Sequence, residues 1–386
     1  MSATLPEPLT GPGFGSYAAD DVQWLLTDLS GVELEAPAEE REEAIQSGGA
    51  HYAESLPVEY QPSAEYQLLF DDALQRSARR VAFGVGVVAH LLRAERGDTV
   101  VLGSLARAGT PVGVLLRRWA RTRFELDWPH AALSIVRGRG IDEVALRWLA
   151  AHHDPASVVF VDGWTGKGAI VRELSAALAA VDVVGFSDDL AVLADPAHCL
   201  RTFGTREDYL IPSACLNSTV SGLVSRTVLN GRLLTPGQFH GAKFYADLAS
   251  ADVSRHFLDV VTARFAEVAA EVPAAAQAVM SGDRSASFAG WAEVARISEQ
   301  YGIGDVNLVK PGVGETTRVL LRRVPWRVLV RPDAELQHPG DLAHVRLLAE
   351  QRGVPVEEVA GLAYSAIGLI HPRFTRGATG ADGLAI

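Results

Sequence analysis

The stretch Val158-Val159-Phe160-Val161-Asp162-Gly163-Trp164-Thr165-Gly166-Lys167-Gly168-Ala169-Ile170 decides the fold. Its four leading apolar residues, mostly β-branched, predict a buried parallel strand. Asp162 ends that strand, a glycine-rich turn follows, and residues 169–174 continue as a helix. A strand, a tight turn and a helix N-terminus form an anion site, because unpaired N–H groups and the helix dipole face one point. Gly166 and Gly168 let the backbone approach closely. Asp162 suits a sugar diol or a magnesium ion beside a phosphate. The plainer reading is an ordinary βα turn of a parallel sheet.

Walker A and dinucleotide fingerprints do not fit this turn: the glycine spacing differs, and no hydroxyl residue follows Lys167. Apolar strand, acid, short turn, Thr-Gly and helix together resemble the phosphoribosyl-diphosphate (PRPP) loop of type I phosphoribosyltransferases. That family carries two adjacent acids; here Gly163 stands in the second place.

A second strand–turn–helix pattern lies upstream in Val100-Val101-Leu102-Gly103-Ser104-Leu105-Ala106-Arg107-Ala108-Gly109-Thr110-Pro111. Pro111 fits a first helical turn. The Arg107 fork sits among small residues and can meet a polyanion at close range. This turn resembles the pyrophosphate loop of the same transferases, with Ala108 and Gly109 supplying backbone contacts. Between the two patterns, residues 131–136 read as a strand and the basic turn Arg137-Gly138-Arg139 precedes a helix through Ala151. In that family this segment closes over PRPP, so Arg137 and Arg139 are candidates to stabilise charge on the leaving pyrophosphate. Solvated surface charge is the alternative for both.

Length and composition set outer limits. The 386 residues allow two domains, or one with additions. A net charge of -12 argues against nonspecific nucleic-acid or anionic-membrane binding. Cys199 and Cys215 are the two cysteines, too few for a disulfide framework and consistent with a reducing, cytoplasmic setting. No stretch reads as a signal peptide or membrane span. Residues 1–16 read as a flexible leader, and 20–26 and 37–45 as short helices. The polar segment around His51, Tyr52 and Glu54 reads as a loop, either a lid or a linker. Residues 63–92 are helical in pattern, and Leu190-Ala191-Val192-Leu193 reads as one more strand.

Beyond residue 200 the pattern is harder to read. Cys215 lies in a turn-to-helix segment of small polar residues, and His240 downstream could serve as its base, which makes a Cys/His nucleophile conceivable. A buried structural cysteine is the simpler account. Residues 309–323 form a glycine turn feeding a basic helix or strand, which either completes a cleft or forms a solvated edge. Residues 342–363 read as two helices broken at Gly353.

The segments around His51, Arg107, residues 161–168, residues 213–219 and residues 310–315 together resemble a bacterial family encoded with tellurium-resistance (Ter) stress genes. The resemblance covers most of the chain. It implies a phosphoribosyltransferase-like protein that makes or modifies a nucleoside-like metabolite, although members are also named cysteine protease StiP. The expected fold is α/β, a type I phosphoribosyltransferase-like mostly parallel sheet with helices on both faces. Residues 1–78 form an extension, 79–200 the core and 201–386 a hood. The resemblance implies an enzyme that binds PRPP with Mg2+ and transfers phosphoribosyl to an unknown small-molecule acceptor. Asp162, Arg107, Arg137 and Arg139 would be catalytic. Thr165, Gly166, Lys167, Gly168, Ala108, Gly109 and His51 would bind substrate, and no protein metal ligands are assigned. The alternatives are a cysteine protease using Cys215 and His240, or a noncatalytic PRPP- or nucleotide-binding regulator. No nucleic-acid or membrane partner is expected, and a homo-oligomer is compatible with the reading.

Overall fold

The computed structural model describes residues 5–36, 54–59 and 62–371. Its centre is a six-stranded sheet built from β1 (Gln23–Trp24), β2 (Val101–Leu105), β3 (His130–Leu133), β4 (Val158–Val161), β5 (Leu190–Ala194) and β6 (Thr202–Thr205). The spatial order is β1-β3-β2-β4-β5-β6, and every pairing is parallel. Val101 pairs with Val158 and Ser104 with Val161, so the two strands that precede the glycine turns lie side by side at the centre.

Alternating side chains divide the core between the two faces. Leu102, Val159, Val161, Ala191 and Leu193 point into one apolar cluster. Val101, Val158, Phe160, Leu190 and Val192 point into another. The first face is covered by α1 (Ala64–Arg96), α2 (Thr110–Trp119) and α5 (Ser254–Ala263). The second is covered by α3 (Glu143–His152) and α4 (Ala169–Ala180). Ser63 caps α1 by accepting from the Tyr66 amide at 3.2 Å. Asp142 caps α3 by accepting from the Val144 and Ala145 amides.

The sheet draws on residues outside 79–200, namely β1 and β6. Residues 20–26, expected as a helix, instead contain β1, because Trp24 is fully buried beside the β3 edge and its backbone also pairs with Leu9. The described part of the expected leader is packed: Leu9 bridges to Trp24 and Phe14 is buried against the Trp24 ring. The helix expected over 37–45, and His51 with it, lies outside the described residues.

The C-terminal segment has a sheet of its own: β7 (Val309–Pro311), β8 (Pro325–Val330), β9 (Val356–Glu358) and β10 (Ala366–Ile370), ordered β7-β10-β8-β9. Of the later helices, α6 (Val272–Ser281) packs on α1, α7 (Ala289–Gln300) and α8 (Val313–Arg322) share the apolar cluster of this sheet with Leu329, Ile367 and Leu369, and α9 (Ala343–Gln351) packs on α8. The second of the two helices expected over 342–363 is therefore strand β9. Val328 and Val330 face the central cluster, which joins this sheet to the rest.

Candidate active site

Among β3, β2, β4, β5 and β6 the spatial order, numbered along the chain, is 2-1-3-4-5. The switch point lies between β2 and β4, where loops diverge at the strand C-termini and leave a crevice. A cleft of ≈ 200 Å³ opens there, lined by the loop after β2, by Asp162 and Trp164 after β4, by Ser213, Leu216, Asn217, Val220 and Ser221, and by Arg226, Arg318 and Arg322.

The loop after β2 reaches this cleft. Arg107 and Ala108 line it. The Ala106–Arg107 peptide is cis. Arg107 donates to Glu59 at 2.9 Å and to the Val224 carbonyl at 3.2 Å. Gly109 is a packing requirement: a Cβ there would sit 2.2 Å from the Val161 carbonyl oxygen. Gly113 likewise gives room to the Ser104–His130 pair, which is joined at 2.8 Å. Burial pushes His130 down to about 3, so it is neutral at physiological pH.

The turn after β4 is differently placed. The Thr165 amide donates to the Ala194 carbonyl at 2.9 Å, and its hydroxyl donates to Asp195 at 2.5 Å. The Gly163 amide is taken by Asp162. Tyr364 donates to the Gly166 carbonyl at 2.8 Å, and Glu315 lies against the Gly166 Cα. Gly168, at φ 79°, packs on Phe288. Lys167 donates to the Val306 carbonyl and to Asn307, and burial with neighbouring Lys310 and Arg137 lowers it to about 7. The C-terminal segment thus covers the turn and places the Glu315 carboxylate beside it.

Asp162 lies at the junction of the turn and the cleft. Burial raises its pKa to about 6, opposed by Arg318 and reinforced by Glu315. Arg318 stacks 4.3 Å over Trp164 and pairs with Glu315 at 2.8 Å. Arg322 follows one helical turn later. Its Nε is buried without a hydrogen-bond partner among the described residues, and burial beside Arg107 and Arg318 disfavours its charged form. Arg137 and Arg139 are exposed. Arg137 donates to Asn307, and Arg139 pairs with Glu54 at 3.8 Å. Neither is among the residues that line the cleft.

Cys215 is not among the residues that line the cleft, whereas its chain neighbours Ser213, Leu216 and Asn217 are. Its carbonyl accepts from the Tyr66 hydroxyl at 2.8 Å, and the residue is fully buried. Burial pushes the thiol up to about 12, so it is a neutral SH at pH 7. His240 is occupied elsewhere: its Nδ1 meets Ser134 at 2.8 Å and its amide donates to Asp142. Tyr66, through a side-chain hydrogen bond, and Asp341, through its charge, act on the Cys215 thiol in opposite directions. His256 is paired with Asp71 at 3.5 Å on the surface. Cys199 donates to Asp195 at 3.3 Å, and burial and that carboxylate raise its pKa strongly. Asp195 also accepts from Thr165, Arg206 and the Leu200 amide, which makes it a structural hub.

Residues 15–262 match the family model described as "Tellurite-like stress resistance cysteine protease StiP". A curated relative from Acinetobacter baylyi, "Cysteine protease StiP", is 36% identical over 369 residues, covering 92% of this chain and 94% of the relative. The chain belongs to the StiP family. Residues 288–372 also match the model described as "PELOTA RNA binding domain". A solved putative aminotransferase from Burkholderia pseudomallei covers 84% of this chain and 92% of its own at 11% identity, but with a TM-score of 0.21 it carries no argument.

StiP membership corrects the transferase expectation. The family and its curated member are named cysteine proteases, not phosphoribosyltransferases. The physical reason is legible in the turn after β4. The Thr165 amide and hydroxyl are already used by Ala194 and Asp195, and the Glu315 side chain packs against Gly166 and brings negative charge to the turn. The Mg2+ expectation was attached to PRPP. Among the described residues no three His, Cys, Asp or Glu side chains gather as a metal cluster, and no helix is long and apolar enough to cross a membrane.

Sequence reading did not single out Arg226 or Asn217, which line the cleft from distant segments, or Glu59, which pairs with Arg107. Arg318 and Arg322 had one signal, an i,i+4 arginine pair after a glycine turn.

Proposed function

We propose that the protein hydrolyses peptide bonds in the manner its family name describes, with Cys215 as nucleophile and the arginine cleft as substrate surface. One observation supports this most: the turn that carries Cys215 forms a wall of the cleft through Ser213, Leu216, Asn217 and Ser221. In the resting structure that wall keeps the thiol neutral. Displacing it brings the sulfur among Arg107, Arg226, Arg318 and Arg322, where cationic neighbours favour the thiolate. Asp162, with its pKa near 6, is the group of the cleft suited to accept the thiol proton. The sulfur then bonds to the peptide carbonyl carbon, and the C–N bond breaks as the proton passes to the leaving amine. Water cleaves the thioester and restores the thiol. The developing oxyanion would be stabilised by the arginines.

The test is hydrolysis of a peptide library by the full chain. Activity should disappear in Cys215→Ser and persist in Cys199→Ser. Unchanged turnover in Cys215→Ser rejects the assignment. Absence of turnover in the wild type favours a noncatalytic binding role, which the burial of both thiols would then explain.

A second reading concerns residues 288–372 alone, and the PELOTA model match favours it. This segment would contact RNA, with affinity that falls steeply as salt rises. Fluorescence anisotropy of a structured RNA with the full chain checks this; no binding at low salt removes it.

A further inference from the structure

Two residues that line the cleft carry buried polar groups of opposite kind that are left unpaired among the described residues. Arg322 Nε is a donor without an acceptor, and Asn217 Oδ1 is an acceptor without a donor. Both residues line the same cavity. Leaving such groups unsatisfied costs roughly 1–3 kcal/mol each, so their persistence points to a ligand that completes them.

The charges limit what that ligand can be. Four arginines line the cleft: Arg107, Arg226, Arg318 and Arg322. Glu59 pairs with Arg107 and Glu315 pairs with Arg318, which neutralises two of them. Asp162 opposes a further positive charge when ionised. Arg322, whose Nε lacks an acceptor among the described residues, is the arginine left to meet a ligand, and one carboxylate satisfies it. A guanidinium fork matches carboxylate geometry. Asn217 Oδ1 adds the need for an N–H donor on the same ligand. Trp164, stacked under Arg318, and Leu216 and Val220, which also line the cleft, provide apolar surface for a short methylene stem.

We infer that the cleft recognises an acidic residue within a peptide: its side-chain carboxylate on Arg322 and its backbone N–H on Asn217. This deepens the peptidase reading and rests on it for the peptide context, but binding is separable from turnover. An acidic residue presents both missing partners at once, a negative oxygen pair and an amide hydrogen. A glutamine residue keeps the amide hydrogen and the shape but loses the charge.

The experiment is calorimetry on the full-length Cys215→Ser protein, so that no substrate is consumed. The probes are N-acetyl-glutamate N-methylamide, its glutamine counterpart and inorganic phosphate. The glutamate probe should bind at least about tenfold more tightly than the glutamine probe, in line with one charged hydrogen-bonded contact. Arg322→Gln should remove that preference, and Arg322→Lys should restore part of it. Asn217→Leu should weaken both peptides by a similar factor. Circular dichroism confirms that each variant is folded, and if Arg322→Gln fails to fold, the lysine variant and the glutamate-to-glutamine ratio still decide. Equal affinity for the two peptide probes overturns the inference. So does phosphate binding that depends on Arg322 while the glutamate probe does not bind. Hydrolysis confined to neutral peptides would remove this inference and leave the peptidase intact. Acidic binding in a protein that hydrolyses nothing would support the inference and remove the peptidase.

Discussion

The two βα turns at the centre of the sheet look alike in sequence and differ in what covers them. The turn after β2 faces the cleft with Arg107 and Ala108. The turn after β4 is closed over by Glu315, Tyr364, Phe288 and the Val306 carbonyl. Both follow a buried strand and both carry small residues, so local physics makes each a candidate anion site. Tertiary packing decides between them, and the segment that decides lies more than a hundred residues further along the chain. A glycine that looks like room for a phosphate can equally be room for another part of the same protein.

Gly109 and Gly163 break or sharpen this comparison most strongly. A methyl at Gly109 would collide with the Val161 backbone, whereas one at Gly163 would meet Ala108 only at 3.8 Å. Gly109→Ala should cost about 3 kcal/mol or more, since backbone cannot yield as a side chain does, and Gly163→Ala less than about 0.5 kcal/mol. Urea unfolding measures both. Equal effects would mean that the loops do not meet as described.

Asp162 comes next. Its folded-state pKa near 6 lies above the usual carboxylate value, so the folded state holds this proton more tightly than the unfolded chain does. Its contribution therefore favours the folded state at low pH and is lost as pH rises from about 4 to 6. Asp162→Asn should flatten that part of the stability profile and stabilise the protein at pH 7 by about 2 kcal/mol. Thermal melts across pH 4 to 8 test it, and an unchanged slope would show that the carboxylate is not buried at the junction.

The Thr165 hydroxyl gives a smaller effect. It is tied to the buried Asp195 hub, so Thr165→Val should cost about 1.5 kcal/mol through the lost charge-assisted bond. A hydroxyl reserved for a ligand would cost almost nothing. Arg139→Ala should change stability by less than about 0.5 kcal/mol, because its ion pair with Glu54 is exposed and long.

The alternation of strands and helices from residue 81 to 194 was legible because period and turn chemistry are local. Strand β1 was not, because two residues beside Trp24 carry no periodic signal and pair only through β3 and Leu9. Strand β9 was missed for a related reason: Val356-Glu357-Glu358 is mixed in polarity and is strand only because β8 lies beside it. The cleft was half legible. Arg107 and Asp162 belong to recognisable turns, whereas Arg226, Arg322 and Asn217 are brought in by packing. Cys215 is a buried thiol in the resting structure, and the family that the chain matches is named for a cysteine protease.

The central claim is that substrate binding and thiol exposure are separate states, joined by movement of the turn containing Cys215. Mass-resolved alkylation at pH 7.5 tests this most directly, with and without an acidic peptide. The account predicts that both cysteines of the free protein resist the reagent, and that the peptide accelerates labelling of Cys215 while Cys199 stays protected. Rapid labelling of Cys215 in the free protein, or full protection with the peptide bound, would contradict it.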